Sequence, residues 1–427
     1  MKQVKKMGVL LMAAFVTVAI AGCSAGSSPS STPAQQATAS ASAPNAPSGQ
    51  SKLTIFQSKV EIADALKAVA KKYTEETGNE VEVWDSAGDD YATQLQAKLL
   101  SGQGPALFSV TTGSEAETFK SFFYDLSSEP YVKNISPNMA LTMDGKVVGV
   151  PYGVEGFGLV YNKSLVDPKD VTDLNSFTKT LEKLKADGKS GLSLSQEGYF
   201  LIGHIINTPF ALQPDPQGFI QKLNKGEVTM AATKEFQEFA KFMEVIRANT
   251  TNPLEINYDK QMGDFAAGKT AMVHQGNWSY GMLKDNQLGF EVGMLPFPLA
   301  GNNKIAVGVA SNWAINAKAK PAEIQAAGAF LNWLLTSPSG QKAIVNDFKF
   351  IPAMTNVEAN DLDPLSKAVF EAAKSGQTIP WANSYFPNGM ILNDLVPVTQ
   401  EFFLKKEMTG QQFLEKLDAV WAQKAPK

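Results

Sequence analysis

The sequence predicts an α/β fold in two lobes. Strands and helices alternate from residue 53 onward, as in a parallel sheet with helices on its faces. The segment able to fold, 52–427, is long enough for two domains at roughly 150 residues each. Three Pro/Gly interruptions, at 150–155, 295–298 and 350–352, break that alternation. They fit a chain that crosses several times between two lobes. They also fit one large domain with ordinary loops.

The elements follow in order. Leu53 to Phe56 starts a strand. In 61–77 a helix places Ile62, Leu66, Val69 and Tyr73 on one face, with Gly78 at its C-cap. Val81 and Val83 alternate with Glu80 and Glu82 as in a half-buried strand. Tyr91, Leu95 and Leu99 give a second helix, ended by 102–105, and 106–110 is a third strand. In 147–162 two apolar runs flank Pro151, Gly153, Gly156, Gly158 and one carboxylate, Glu155. Proline fixes φ and glycine frees it, so this connection can turn without breaking the flanking strands. A Glu inside such an apolar run needs partners if it is buried. Beyond it lie helices over 177–184, 233–249 and 258–268, and strands over 191–195, 270–273 and 290–295. The stretch 305–316 is strand-like. Pro321 and Pro338 open two further helices, and the last carries a capping box of Thr409 and Gln412.

The ends carry a different signal. Lys2, Lys5 and Lys6 precede an uncharged, mostly apolar run over 7–20, too short for a comfortable membrane span. Residues 24–51 hold no charge and no large apolar side chain, and read as a flexible tether. Cys23 is the only cysteine, which excludes a disulfide framework, a further thiolate nucleophile and a Cys-based metal site. The formal net charge is −4 and the one arginine is Arg247. Nucleic-acid and polyphosphate binders need basic clusters and arginine forks, so neutral or weakly charged ligands are expected, with no nucleic-acid partner.

Most motif matches fail on context. Gly263 to Thr270 satisfies the phosphate-loop pattern letter for letter, but Met262 and Phe265 mark its first half as helical, and a strand follows rather than a helix. His204 and His274, the only histidines, sit in no metalloprotease motif and read as ordinary core or surface imidazoles. Asp85, Asp89 and Asp90 lack calcium-loop spacing and read as a solvated or ligand-facing loop. Glu155 and Glu197 each lie beside aromatics. Such a pair serves a glycosidase that places carboxyls across a scissile bond. It equally serves simple sugar binding, in which carboxylates accept hydroxyl hydrogen bonds and rings cover the apolar C–H face of a pyranose. Of the tryptophans, Trp313, Trp333 and Trp421 read as core. Trp278 and Trp381 are candidates for ring stacking, and Trp84 starts the 85–90 loop at a strand end, where ligands bind in open α/β sheets.

Several motifs together carry a family resemblance. Ile20-Ala21-Gly22-Cys23 resembles the bacterial lipoprotein signal, which implies cleavage after residue 22, lipidation of Cys23 and a tether over 23–51. Pro151 through Glu155 to Asn162, Gln196-Glu197-Gly198-Tyr199-Phe200, 265–272 followed by Gly276-Asn277-Trp278, and 331–344 resemble segments of the extracellular solute-binding proteins of bacterial ABC sugar importers. The maltodextrin-binding branch is the most similar. The likeness implies a two-lobed periplasmic-binding-protein fold, each lobe a mixed, mostly parallel sheet flanked by helices, with three hinge crossings. The N-terminal lobe is expected at 52–152 and 299–349, the C-terminal lobe at 153–298 and 350–427.

The resemblance further implies a lipid-anchored monomer on the outer face of the bacterial cytoplasmic membrane. It would need no cofactor and have no catalytic role, and would deliver an oligosaccharide to an ABC permease. Glu155, Glu197, Tyr199, Phe200, Trp278 and Trp381 are the implied ligand contacts, joined by Tyr152, Lys59, Trp84 and Asp85. Gly113-Ser114 stands where the maltodextrin branch carries an Asp-Arg pair, so maltodextrin specificity does not transfer. A surface glycoside hydrolase and a metal- or amine-binding relative of the same fold are the alternatives.

Overall fold

The computed structural model describes residues 52–85, 90–137 and 139–425. The leader, Cys23 and the tether lie outside them, as do 86–89 and the side chain of Asp85.

Twelve strands form two six-stranded sheets among the described residues. The first contains β1 (Leu53–Gln57), β2 (Val81–Asp85), β3 (Leu107–Val110), β4 (Leu141–Met143), β5 (Lys146–Pro151) and β11 (Asn312–Ile315). Its order is β2-β1-β3-β11-β5-β4. The second contains β6 (Val154–Asn162), β7 (Ser190–Ser193), β8 (Thr270–Gly276), β9 (Val292–Leu295), β10 (Ile305–Val309) and β12 (Thr378–Ile379). Its path is β12-β10-β6-β8-β7, with β9 also on β6.

Each sheet has its own core, because strand side chains alternate between faces. On β1, Ile55 packs with Leu66, Val69 and Phe330 on one face of the first sheet, while Phe56 packs with Tyr91, Leu95 and Phe108 on the other. In the second lobe Phe157 and Leu159 of the fully buried β6 join Phe239, Met262 and Leu417 from surrounding helices. The expected caps form. Gly78 ends the first long helix at φ 76°, and Thr409 and Gln412 close a reciprocal capping box.

The sheets are mixed, as expected, but antiparallel pairs outnumber parallel ones by six to four. The reason is how the chain passes between them. It leaves the first sheet on β5 and enters the second on β6, then returns from β10 to β11. The outgoing and returning strands pair antiparallel on both sides of the passage, Pro151 with Asn312 and Val154 with Val309. Tyr152 N–H donates to Ser311 O between them at 2.9 Å. The passage is therefore a two-stranded ribbon.

This places one boundary differently from the sequence reading, and Met354 and Val357, expected in the C-terminal lobe, pack into the first core instead. The second passage lies at 310–311, and 299–309 stays with the second sheet through β10. The interruption at 295–298 only follows β9, because a Pro-rich break marks any change of direction. A third stretch lies alongside the ribbon, where Val154 N–H donates to Ile351 O at 2.8 Å. Phe350 packs into the first core and Ile351 into the second. Among the described residues no helix is long and apolar enough to cross a membrane.

Candidate functional site

The first lobe contributes Lys59, two residues beyond β1. The second contributes Glu155, the second residue of β6. Lys59 Nζ lies 2.8 Å from Glu155 Oε1, with the two side chains only 13% and 3% exposed. Burial pushes the Glu155 carboxyl above the usual carboxylate range, and the nearby ammonium opposes that shift. For Lys59 burial works against the charge, but the pull of Glu155 and Glu61 outweighs it and raises the ammonium above its ordinary value. A buried pair of this kind gains little net stability, since desolvation cancels most of the Coulomb attraction. The pair joins the two lobes across their boundary.

Aromatic rings surround the pair. Lys59 Nζ sits 5.7 Å from the Trp278 ring centroid. Phe200 is stacked on Trp278 at 6.3 Å and 19°. Phe157, on the same face of β6 as Glu155, lies 5.3 Å from Trp381 and 6.5 Å from Trp278. Trp278 follows β8 directly, and its ring folds back over Gly276. A Cβ at Gly276 would fall 2.2 Å from that ring, so the Gly-x-Trp spacing is a packing requirement. Trp381 lies against Gly308 in the same way. Tyr199 and Phe200 open an irregular helix, Tyr199–Gly203, and Tyr199 stays 39% exposed.

Glu197 has two unlike oxygens. Oε1 accepts from Tyr258 N–H at 2.9 Å, at the start of the helix Tyr258–Ala266. Oε2 is buried with no hydrogen-bond partner among the described residues. The Tyr258 hydroxyl donates to Glu61 Oε1 of the other lobe at 3.4 Å. A second inter-lobe contact lies at the rim. Ser114 donates to Phe386 O, and Asn388 Nδ2 donates to Thr118 Oγ1 at 3.0 Å.

The structure thus brings together Lys59, Glu155, Phe200, Trp278 and Trp381, with Tyr199 and Glu197 adjoining. It places two expected residues elsewhere. Tyr152 stacks on Trp313 at 4.0 Å inside the first core, because its place in the ribbon turns it inward. Trp84 packs edge-on to Phe56 at 6.4 Å, beneath the Lys98 ammonium. The Asp85 side chain is outside the described residues. Gly263 to Ala266 is helix and Thr270 starts β8, a context opposite to a phosphate loop.

Sequence reasoning missed Phe157 and His204. Phe157 stood beside Glu155 as an aromatic neighbour at i+2 but was not named as a contact. His204 ends the Tyr199–Gly203 turn and stacks on Phe157 at 4.3 Å, with Trp278 5.4 Å away. It and His274 are buried, as a core reading requires, but each keeps one ring nitrogen without a partner among the described residues.

Two α/β lobes joined by a strand ribbon, with a charged pair and an aromatic wall between them, define a two-lobed binding protein. The chain belongs to the bacterial extracellular solute-binding protein family, whose model matches residues 68–373. It is 24% identical over 389 residues to the multiple sugar-binding protein of Streptococcus mutans, covering 87% of this chain and 88% of that one. It is 24% identical over 337 residues to a maltooligosaccharide ABC transporter solute-binding lipoprotein of Streptococcus pneumoniae, covering 74% and 76%. Its fold is similar to the solute-binding protein RafE in complex with raffinose. There the TM-score is 0.75 and the identity 19%, over 88% of this chain and 100% of that one.

Proposed function

We propose that this chain is the capture component of an ABC importer. It binds an oligosaccharide between its lobes and presents the closed complex to the permease. One arrangement carries the reading: the Lys59–Glu155 pair set among the rings of Phe157, Phe200, Trp278 and Trp381. A pyranose has apolar C–H faces for rings and hydroxyls at its edges for charged groups. A charged acceptor or donor makes each such hydrogen bond worth about 1.5–3 kcal/mol. Glu197 Oε2 offers a further acceptor. Relatives named for multiple sugar binding and for maltooligosaccharide transport support the ligand class.

Glu155, Glu197, Tyr199, Phe200, Trp278, Trp381 and Lys59 are the proposed contacts. Ligand binds both lobes at once and so shifts the population toward the closed form. The protein works as a monomer without catalysis, tethered through lipidated Cys23 to the outer face of the cytoplasmic membrane. Calorimetric titration with malto-, xylo-, manno- and fructo-oligosaccharides and the raffinose series tests the proposal. Saturable binding of one class, with no reducing ends released over hours, is the expected outcome. Silence across the panel, together with binding of an amine, a metal or a peptide, removes the sugar reading. Steady release of reducing ends that stops in Glu197→Gln makes the protein a hydrolase instead.

A further inference from the structure

The two histidines form an incomplete hydrogen-bond path behind the aromatic wall. His274, on β8, is fully buried, and its Nδ1 lies 2.8 Å from Gly158 O. A carbonyl can only accept, so in the neutral ring Nδ1 carries the proton and Nε2 is left as an acceptor. That Nε2 has no partner among the described residues, and neither has Nδ1 of His204. The two rings are 5.4 Å apart, centroid to centroid, and nearly perpendicular at 87°. One proton shared between them would serve both orphaned nitrogens, with His204 Nδ1–H donating to His274 Nε2. Buried polar groups are seldom left unpaired, and those that are call for an explanation.

That arrangement sets the polarity of the outer nitrogen. With Nδ1 protonated, His204 Nε2 becomes a lone-pair acceptor, available to a donor in the site. Around it stand Phe157, Tyr199, Trp278 and Trp381, the rings of the proposed sugar wall. Resting on the sugar-binding reading above, we propose that His204, oriented by His274, accepts a hydrogen bond from a ligand hydroxyl as a neutral imidazole, and that acid releases the ligand by protonating it. His204 touches ligand, and His274 is a positioning residue. The site then selects a hydroxyl-bearing ligand and rejects a carboxylate at that position, since a carboxylate has no proton to give.

The titratable and charged groups facing His204 are His274 on β8, Tyr199 on its own turn, and Lys59 with its partner Glu155. Tyr258 and Glu197 stand beyond Phe200. Burial, then the charges of His274 and Lys59, hold His204 well below the usual histidine range. The closed site therefore keeps it neutral. Parting of the lobes takes the Lys59 ammonium away from the ring and eases its protonation, so acid acts on the open form. Ligand binds only the neutral form, so affinity is flat at alkaline pH. Below the open-form pKa it falls by up to about tenfold per pH unit.

The test is calorimetry of the full mature chain with maltotriose, raffinose and xylotriose, from about pH 8 to about pH 5. Wild type, His204→Phe, His204→Gln and His274→Gln are compared, each checked for folding by thermal melting. For whichever sugar binds, His204→Phe should lose about tenfold or more at alkaline pH. His204→Gln should keep binding but lose the acid fall, since its amide still hydrogen-bonds and cannot titrate. His274→Gln should move the midpoint of the acid fall. The proposal is overturned if His204→Gln keeps the wild-type acid fall, or if folded His204→Phe binds as wild type does. If neither these sugars nor the manno- and fructo-oligosaccharides of the wider panel bind wild type at any pH, the sugar reading falls and takes this inference with it. Wild-type binding with unaltered variants overturns the inference alone.

Discussion

Charged and aromatic side chains carry the site in unequal shares. Trp278 offers a broad, partly fixed ring face, held by Gly276 beneath it and by a 2.9 Å hydrogen bond from its Nε1 to Gln275 Oε1. Trp278→Ala should weaken sugar binding by about 1–3 kcal/mol, as for other buried aromatic anchors. Unchanged affinity in a folded variant, measured by calorimetry, would take it out of the site. His274 gives a prediction independent of ligand. Burial pushes its imidazole down to about 4 from an ordinary 6.5. Between those values the unfolded chain binds the proton and the folded chain does not, so stability falls as pH drops from about 6.5 toward 4. This one group should remove on the order of 3 kcal/mol across that window. Urea midpoints for wild type and His274→Gln should converge at acid pH if so, and run parallel if not.

At this scale the sequence marked residue types more readily than it marked neighbours. Glu155, Trp278 and Phe200 stood out because a carboxylate and large rings lay among glycines. Tyr152 stood out for the same reason and turned out to stack on Trp313. A strand residue's face depends on register, which Pro151 and Gly153 leave open. Phe157 carried only its i+2 spacing from Glu155 as a signal, and His204 carried none.

Among the elements, β6 and its partners do most to shape the site. β6 brings Glu155 and Phe157 to one face, β8 delivers Trp278 through Gly276, and β10 receives Trp381 at Gly308. Gly276→Ala should displace the Trp278 ring and weaken sugar binding at least as much as it lowers the melting temperature, because a methyl group there meets the ring itself. A folded Gly276→Ala variant with full affinity would show that the ring position does not matter. The helices were readable from their 3.6-residue periodicity and caps, as at Gly78 and Thr409. The break between β10 and β11 was not. Residues 305–316 form one strand-like run, and nothing local says that its halves join different sheets. Strand direction was equally hidden, since pairing is decided by contacts distant in sequence.

For the whole molecule, the proposed function makes the Lys59–Glu155 pair the link between binding and lobe position. Removing one partner of a buried ion pair ordinarily costs about 3–5 kcal/mol, because the other charge stays buried. Here Lys59 can return to water when the lobes part, so Glu155→Ala should lose less than that in global stability. It should instead lose sugar affinity and rest more open. Denaturant melts and calorimetry separate the two effects, and a collapsed melt would make the carboxylate structural. The two-lobed architecture was readable because length, alternation and interruptions agreed with one another. The passage at 310–311 was not, because Ala310 and Ser311 carry neither Pro nor Gly.

Closure on a sugar is the claim that joins these scales, and it can be measured directly. Cys23 is the only cysteine in the chain, so protein begun after it can be labelled solely at introduced sites. Lys71→Cys in the first lobe and Lys234→Cys in the second replace side chains that are 79% and 81% exposed. The distance between paired labels should shorten and narrow as the sugar that binds is titrated in, and should follow its calorimetric isotherm. A distance that stays constant at saturating sugar would contradict capture by lobe closure.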